Sequence, residues 1–293
     1  MRSIRKALET GKVLVSDGAW GTFLHELGLA VGECPEEWNL THRAEVLSIA
    51  KSYIDAGSDM VLTNSFGGHP VKLNHYGLKD RAFEINEAAA AISREAAGED
   101  HFVLGSIGPS GVILMMQEVS EEELYDGFRV QVEALSKGGA DAVCVETMSA
   151  IDEACLAIKA AKEFTDLEVV CTFTYNKTVH GYYRTMMGVS PEEMVNAVKE
   201  AGADIVGANC GMGFEQMIEI VEAIRGIDKT TPVLIHANAG IPVIKGGKTV
   251  FPETPEMMRV RVKDLINAGA NIIGGCCGTT PEHIRAFVDE IKG

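Results

Sequence analysis

Basic residues are scarce in this chain of 293 residues: 26 lysines and arginines stand against 42 aspartates and glutamates, for a net charge of −16. Such a chain offers no basic groove for phosphates, so we exclude nucleic-acid binding. No apolar stretch reaches the roughly 20 residues that a membrane-spanning helix needs, and none follows the charged start at 1–12. We therefore expect neither a membrane segment nor a secretion signal, and a cytoplasmic location.

Short Cys-x-x-Cys knuckles are also missing, although the chain has seven cysteines. Structural zinc sites usually draw four ligands from such knuckles, and thiols in the cytosol stay reduced, which argues against disulfides. Cys144, Cys155 and Cys171 lie within apolar runs, where a free cysteine usually packs as a small hydrophobic residue. Cys34 lies in a polar loop, and its role is open.

The remaining cysteines are Cys210 and the adjacent pair Cys276 and Cys277, each at the end of a short apolar run. Thiolates are soft ligands that favour zinc, and three of them leave one tetrahedral position for substrate or water. We interpret the three as ligands of a catalytic zinc ion. A structural zinc site is the alternative.

A recurring phrase organises the chain. Four similar phrases stand in the sequence, and a short apolar run follows each of them. They are AGSD at 56–59, GGAD at 138–141, AGAD at 201–204 and AGAN at 268–271. Glycine ends a helix by accepting positive φ, and a short bounded apolar run is typical of a strand buried on both faces. Each phrase therefore predicts a helix that leads into a strand.

Four further apolar runs bring the predicted strands to eight, and helical patterns separate them. These runs lie at 13–17, 102–107, 168–174 and 232–237. The helices are predicted at 43–56, 80–97, 121–137, 151–164, 191–201, 214–224, 255–268 and 281–292. Eight alternating βα units predict an α/β fold, a (β/α)8 TIM barrel that forms a single domain over 1–293.

The polar residues test this assignment, because barrel chemistry collects where strands end. The predicted strand ends fall at 17–18, 63–65, 108–109, 146–147, 174–175, 209–210, 238–240 and 276–277. Cys210 and the cysteine pair would thus meet across one rim. His236, close to the seventh strand end, is either an acid or base or a packed barrel histidine. The stretch 241–254 is either a lid or a surface loop.

The assembled motifs are DGAWGT at 17–22, LTNSFG at 62–67, GSIGPSG at 105–111, ET at 146–147, NC at 209–210, NAG at 238–240 and GGCCGTTPEHI at 274–284. With them the chain resembles the homocysteine S-methyltransferase family over nearly its whole length. The order and spacing are most similar to those of the homocysteine-binding domain of cobalamin-dependent methionine synthase.

The resemblance implies a role for each matching position. Cys210, Cys276 and Cys277 would hold zinc, and Asn238 is a possible fourth ligand when substrate is absent.

At the substrate end, Asp17 and Glu146 would bind an ammonium group, and the loop that starts at Gly18 would offer N–H groups to a carboxylate. Asn64 and Ser65 would line the same pocket. Two carboxylates suit an ammonium group because each accepts charge-assisted hydrogen bonds. A turn cap and a bridge between strands are the structural alternatives for Asp17 and Glu146.

The implied activity is a zinc-dependent transfer of a methyl group to a thiol, L-homocysteine, which becomes methionine. Zinc binding would generate the thiolate, which is the nucleophile. The chain ends soon after the eighth predicted helix, so we expect no cobalamin or folate module and a methyl donor supplied in trans. A methylated corrinoid protein is favoured as the donor, with S-methylmethionine or betaine as other candidates.

Two other functions remain open at this point. The same zinc site could demethylate a methylated substrate and pass the methyl group to a partner corrinoid protein. A non-catalytic zinc-binding barrel is the hypothesis from a different class.

Overall fold

Eight parallel strands form a nearly closed barrel in the computed structural model, which describes residues 2–116 and 118–293. The strands are β1 Leu14–Val15, β2 Met60–Leu62, β3 Phe102–Ile107, β4 Ala142–Met148, β5 Glu168–Phe173, β6 Ile205–Asn209, β7 Val233–Ala237 and β8 Ile272–Gly275. Each strand pairs in parallel with its neighbours from β2 round to β8 and then β1. The predicted TIM barrel is confirmed.

Helices surround the barrel close to the predicted places. The larger ones are Arg43–Asp55, Ala82–Ala97, Glu121–Lys137, Ile151–Phe164, Pro191–Ala201, Phe214–Ile227, Pro255–Arg259, Val262–Ala268 and Pro281–Lys292. Shorter helical segments are Ile4–Leu8, Gly21–Glu26, Pro35–Glu37, Trp38–Thr41, Pro70–Leu73, Asn74–Tyr76, Lys79–Arg81 and Leu114–Met116. Among the described residues, no helix is long and apolar enough to cross a bilayer.

One predicted helix, at 255–268, is wrong as a continuous element. The structure divides it into Pro255–Arg259 and Val262–Ala268. At the break the Arg261 N–H donates to the carbonyl of Met258, three residues back, at 3.0 Å. This tighter turn interrupts the α-helical pattern.

The recurring phrase has a structural role that goes beyond ending a helix. The backbone N–H of Asp141 donates to the Val103 carbonyl at 2.8 Å, and Asp141 Oδ2 accepts the Val103 N–H at 2.9 Å. The same two bonds link Asp59 to Val15, Asp204 to Val169 and Asn271 to Val233. We call these four reciprocal pairs the clasps. Each clasp ties the start of an even-numbered strand to the preceding odd-numbered strand.

A basic residue completes every clasp. It comes from the helix that follows the previous even-numbered strand, and it binds the side chain of the aspartate or asparagine. The four contacts are Lys292 with Asp59, Arg94 with Asp141, Lys162 with Asp204, and Arg225 with Asn271. Both the strand ends and the outer helices are therefore fixed at the N-terminal side of the barrel.

The N-terminal end of the barrel is closed by the helix Ile4–Leu8. Its Ile4 side chain is fully buried among interior residues such as Leu104 and Val170. Glu168 accepts the Ile4 N–H at 2.6 Å, which satisfies one of the unpaired donors at the start of this helix. Cys144 and Cys171 lie fully buried in the core, as predicted for small hydrophobic residues.

We expect Asp141→Ala to lower the free energy of unfolding by about 2 to 4 kcal/mol, because it leaves the buried Val103 N–H without this side-chain acceptor and the Arg94 guanidinium without its carboxylate. Asp141→Asn keeps an acceptor, as Asn271 does in the fourth clasp, and should cost less. Urea denaturation of both variants measures the difference. Equal losses for the two substitutions would contradict this account of the clasp.

Candidate metal and substrate site

A cavity of about 280 Å³ opens at the C-terminal ends of the strands. Its lining includes eight of the nine residues predicted for the site, namely Asp17, Gly18, Asn64, Ser65, Glu146, Cys210, Cys276 and Cys277. The ninth, Asn238, is buried and not part of the lining, and its N–H donates to the carbonyl of Met212, two residues after Cys210, at 3.0 Å. Residues distant in sequence therefore converge on one pocket, as barrel topology requires.

The three predicted metal ligands form one compact cluster. Their Sγ atoms all lie within 4.8 Å of one another, and Cys210 Sγ is 4.0 Å from Cys277 Sγ. Backbone bonds fix the loops that carry them: the Cys210 N–H donates to the His236 carbonyl at 2.9 Å and the Cys276 N–H to the Ala237 carbonyl at 2.7 Å. The ends of β6, β7 and β8 thus hold the cluster.

Backbone conformation also directs the Cys210 sulfur. Cys210 and Thr147 are the two non-glycine residues with positive φ in the described part of the chain, both at 61°. Such values are uncommon for residues with a Cβ and concentrate at functional sites. The buried side chain of Asn209 joins the two strand ends, because its Oδ1 accepts the Thr147 N–H at 2.8 Å and its Nδ2 donates to Thr147 Oγ1 at 2.7 Å.

Without a metal, the three thiols share their protons unequally. Hydrogen bonds from Cys276 and Cys277 lower the pKa of Cys210 to about 3, and the Gly211 N–H and Asn238 contribute to this. The pKa of Cys277 is raised to about 12, chiefly by its bond to Cys210, and that of Cys276 is also raised. The cluster therefore favours a single thiolate, which its neighbours stabilise.

These residues fit a tetrahedral thiophilic cation. Zinc–sulfur bonds of about 2.3 Å place tetrahedral sulfurs about 3.8 Å apart, close to the 4.0 Å between Cys210 and Cys277. Asn238 Oδ1 is buried and has no hydrogen-bond partner among the described residues, so it is free to serve as a further oxygen ligand. A buried acceptor without a partner is costly unless a cation or water satisfies it.

The two predicted carboxyl groups line the same cavity as the cysteines. Asp17 is fully buried; its Oδ2 accepts the Trp20 Nε1–H and the Leu62 N–H, both at 2.8 Å. Glu146 accepts the Ser106 hydroxyl and, at 3.3 Å, Asn209 Nδ2. Burial raises the pKa of each carboxyl group to about 7, and Asp17 and Cys210 add to the effect at Glu146. A cation in the pocket would favour their ionised forms.

The polar groups of Asn64 and Ser65 mainly hold the scaffold. Asn64 Nδ2 donates to the Pro35 carbonyl at 2.7 Å, and Ser65 Oγ donates to the Ser106 carbonyl at 2.7 Å. Both residues still line the cavity. Their predicted contact with substrate remains a prediction.

The loop after β1 comes close to the metal loop. A Cβ atom on Gly18 would lie 2.8 Å from both Thr279 Oγ1 and Tyr53 Cε1, which explains glycine there. The Ala19 N–H already donates to Thr279 Oγ1 at 3.1 Å. That amide is therefore unavailable to a substrate carboxylate, and the prediction for this loop is limited to its other N–H groups.

His236 is buried, and burial lowers its pKa to about 3. Its ring lines the cavity, and Nε2 has no partner among the described residues. The imidazole is therefore neutral at physiological pH.

The stretch 241–254 contains an exposed hairpin, Val243–Lys245 paired with Lys248–Val250. The residues that follow pack on the cysteine loops: a Cβ on Gly278 would lie 2.3 Å from the Phe251 ring, and a Cβ on Gly240 would lie 2.8 Å from Glu253 Cγ. The end of this stretch thus packs against the loops that follow β7 and β8.

Several contributors to the site were not predicted. Asn209 and Thr279 stand within the motifs, but their roles depend on contacts between loops that sequence order does not reveal. Glu36 also lines the cavity, and it accepts the Gly67 N–H at 2.6 Å. Its position inside the short helical segment Pro35–Glu37 gave no signal of this contact.

The structure defines a class: an α/β barrel with a three-sulfur cluster and two buried carboxylates in one pocket at its C-terminal rim. Residues 14–291 match the family model of homocysteine S-methyltransferase. The chain belongs to that family.

Curated relatives include two methionine synthases. The chain is 31% identical over 294 residues to the Mycobacterium leprae protein, and this match covers 94% of the chain and 24% of that protein. For the Mycobacterium tuberculosis protein the identity is 30% over 302 residues, with 96% of this chain and 25% of that protein covered. The chain thus spans about a quarter of the length of these relatives.

The fold is shared with a solved structure, the metallated form of the homocysteine methyltransferase MmuM from Escherichia coli. The TM-score is 0.79 at 21% identity, with 97% of this chain and 98% of that chain covered. The apo form of the same protein gives a TM-score of 0.75, also at 21% identity, with 98% of this chain and 99% of that chain covered.

Replacing any one of Cys210, Cys276 and Cys277 by serine should weaken zinc binding by more than about 100-fold, because losing a direct ligand costs more than losing a group behind it. Cys155→Ser, a half-buried cysteine outside the cluster, is the matched control and should bind zinc normally. Competition with a chromogenic chelator measures the affinities. Zinc binding that survives in the three cluster variants would refute the ligand assignment.

The raised pKa of Glu146 predicts a pH dependence of stability in the metal-free protein. The folded state keeps the proton up to about pH 7, whereas the unfolded chain loses it near 4.3. The folded state therefore holds more protons between these values, and the free energy of unfolding falls as pH rises through this range. Glu146→Gln should reduce that fall by up to about 1.4 kcal/mol per pH unit. Denaturant titrations from pH 5 to 8 test this, with the exposed Glu200→Gln as the control that should leave the slope unchanged.

Proposed function

We propose that residues 1–293 form a homocysteine-binding barrel domain, a zinc-dependent methyltransferase that converts L-homocysteine to methionine. One observation carries the proposal: a three-sulfur cluster and two buried carboxylates face the same cavity of about 280 Å³. A thiol at one end and an ammonium group at the other end of a small molecule match these two groups of residues.

The carboxylates bind the ammonium end. Asp17 is held in place by Trp20 and the Leu62 N–H, and Glu146 by Ser106 and Asn209. Because burial raises the pKa of both carboxyl groups to about 7, an arriving ammonium group would displace protons and create charge-assisted hydrogen bonds. This is how the chain orients the amino acid.

The cysteines act at the thiol end. Zinc held by Cys210, Cys276 and Cys277 would lower the pKa of a bound thiol, so that its sulfur is present as the nucleophilic thiolate. The chain's own residues supply the rest: the loops fix the sulfur cluster, and the carboxylates fix the opposite end of the substrate. In the transfer, the substrate sulfur forms a bond to the methyl carbon, and the bond from that carbon to the donor breaks.

The methyl donor is proposed to arrive in trans. The likeness to methionine synthases supports a methylated corrinoid protein as the donor, ahead of S-methylmethionine or betaine. Transfer assays with each donor, supplied separately to the zinc-loaded protein, distinguish the three.

The decisive measurement is isothermal titration of the zinc-loaded protein with L-homocysteine in buffers of different ionisation enthalpy. Methionine is the matched control, because it has the same ammonium and carboxylate groups but no thiol. Both ligands should release protons from Asp17 and Glu146 near pH 7, and homocysteine should release about one more, from its thiol.

Equal proton release by the two ligands would mean that the thiol is not deprotonated on binding, and the proposed activation would be wrong. Absence of homocysteine binding would reject homocysteine as the substrate.

A further inference from the structure

The hydroxyl group of Thr279 joins the two halves of the proposed site. Its Oγ1 donates to the Cys276 carbonyl at 2.7 Å and accepts the Ala19 N–H at 3.1 Å. The first contact is to a cysteine of the sulfur cluster, and the second is to the loop between Asp17 and Trp20. Thr279 itself is 2% exposed and is not part of the cavity lining. It can act on a ligand only through these two loops.

Two glycines make room for this hydroxyl. A Cβ atom on Gly275 would lie 2.1 Å from Thr279 Oγ1, and one on Gly18 would lie 2.8 Å from the same atom. The Thr279 hydroxyl therefore lies against both backbones, and a side chain at either glycine would collide with it. Tyr53 fixes the other side of the same residue, since its hydroxyl donates to the Ala19 carbonyl at 2.6 Å.

This junction connects the loop that follows Asp17, a proposed ammonium ligand, to the loop that carries Cys276, a proposed metal ligand. An amino-acid thiol held at both ends must span the separation between the sulfur cluster and the ammonium site, and homocysteine exceeds cysteine by one methylene. Binding at two fixed points discriminates by length only if the separation between them is itself fixed. Thr279 provides a direct connection between the loops that carry these points.

We propose that Thr279 is a positioning residue that sets the chain length of the accepted amino-acid thiol, by holding the loop at Gly18–Ala19 against the loop at Cys276. This inference rests on the proposed function, because it assumes an amino-acid thiol as the ligand. It adds a residue that touches neither substrate nor metal.

The test compares Thr279→Val with Thr279→Ser in zinc-loaded protein. Valine keeps the shape of the side chain but removes the hydroxyl, whereas serine keeps the hydroxyl. Calorimetry measures the dissociation constants of L-homocysteine and L-cysteine, and a chelator competition measures zinc affinity separately. One methylene in a fitted pocket is worth about 10- to 200-fold in selectivity. We expect the preference for homocysteine over cysteine to fall by about tenfold in Thr279→Val and to survive in Thr279→Ser, with zinc affinity little changed.

Tyr53→Phe provides a second variant if Thr279→Val does not fold. It releases the Ala19 carbonyl from the other side and should reduce the same preference in the same direction. An unchanged preference in the folded variants, or equal weakening of both thiols, would overturn the inference while leaving the proposed function intact. If the unaltered protein binds neither thiol, the proposed function fails and the inference fails with it.

Discussion

The cost of burying negative charge governs this site. Three thiols and two carboxyl groups converge on one small cavity, and they cannot all ionise there without cations. Their protons are therefore retained: a single thiolate is favoured in the cluster, and the pKa values of Asp17 and Glu146 rise to about 7. A metal ion at one end and an ammonium group at the other would each replace protons. The proposed zinc ion and substrate ammonium group would thus each reduce the cost of ionising the groups around them.

The same constraint explains the surrounding hydrogen bonds. A buried carboxylate or thiolate is costly unless neighbouring hydrogen-bond donors stabilise its charge. Asn209 acts in this way at Glu146, to which its Nδ2 donates, and it is itself held by Thr147 and by the Thr172 hydroxyl, which it accepts at 2.7 Å. Because Cys210 follows Asn209 directly in the chain, the orientation of a carboxylate and the position of a sulfur depend on one buried amide.

Sequence patterns predicted the barrel well because its strands are buried on both faces and the helices before four of them end at a phrase that contains glycine. They also identified the cysteine cluster, because strand ends in a barrel share one rim. They failed where function depends on contacts between loops. Asn64 and Ser65 line the pocket but direct polar groups to backbone carbonyls, and no local pattern distinguishes such a side chain from one that faces a ligand. The role of Thr279 was likewise invisible, because its partner Ala19 lies at the opposite end of the chain.

The four clasps repeat the same set of contacts around the barrel. Each links an odd strand to the next even strand and recruits a basic residue from an equivalent helix, so the barrel has an approximate fourfold internal symmetry of βαβα quarters. The symmetry is kept at the end of the barrel opposite the pocket, where the four clasps maintain the fold. At the C-terminal rim the quarters differ, since one carries Asp17, another Glu146, and the remaining two the cysteines. The barrel is therefore closed by contacts that repeat around its axis, whereas the candidate site at the other end is asymmetric and uses different residues from each quarter.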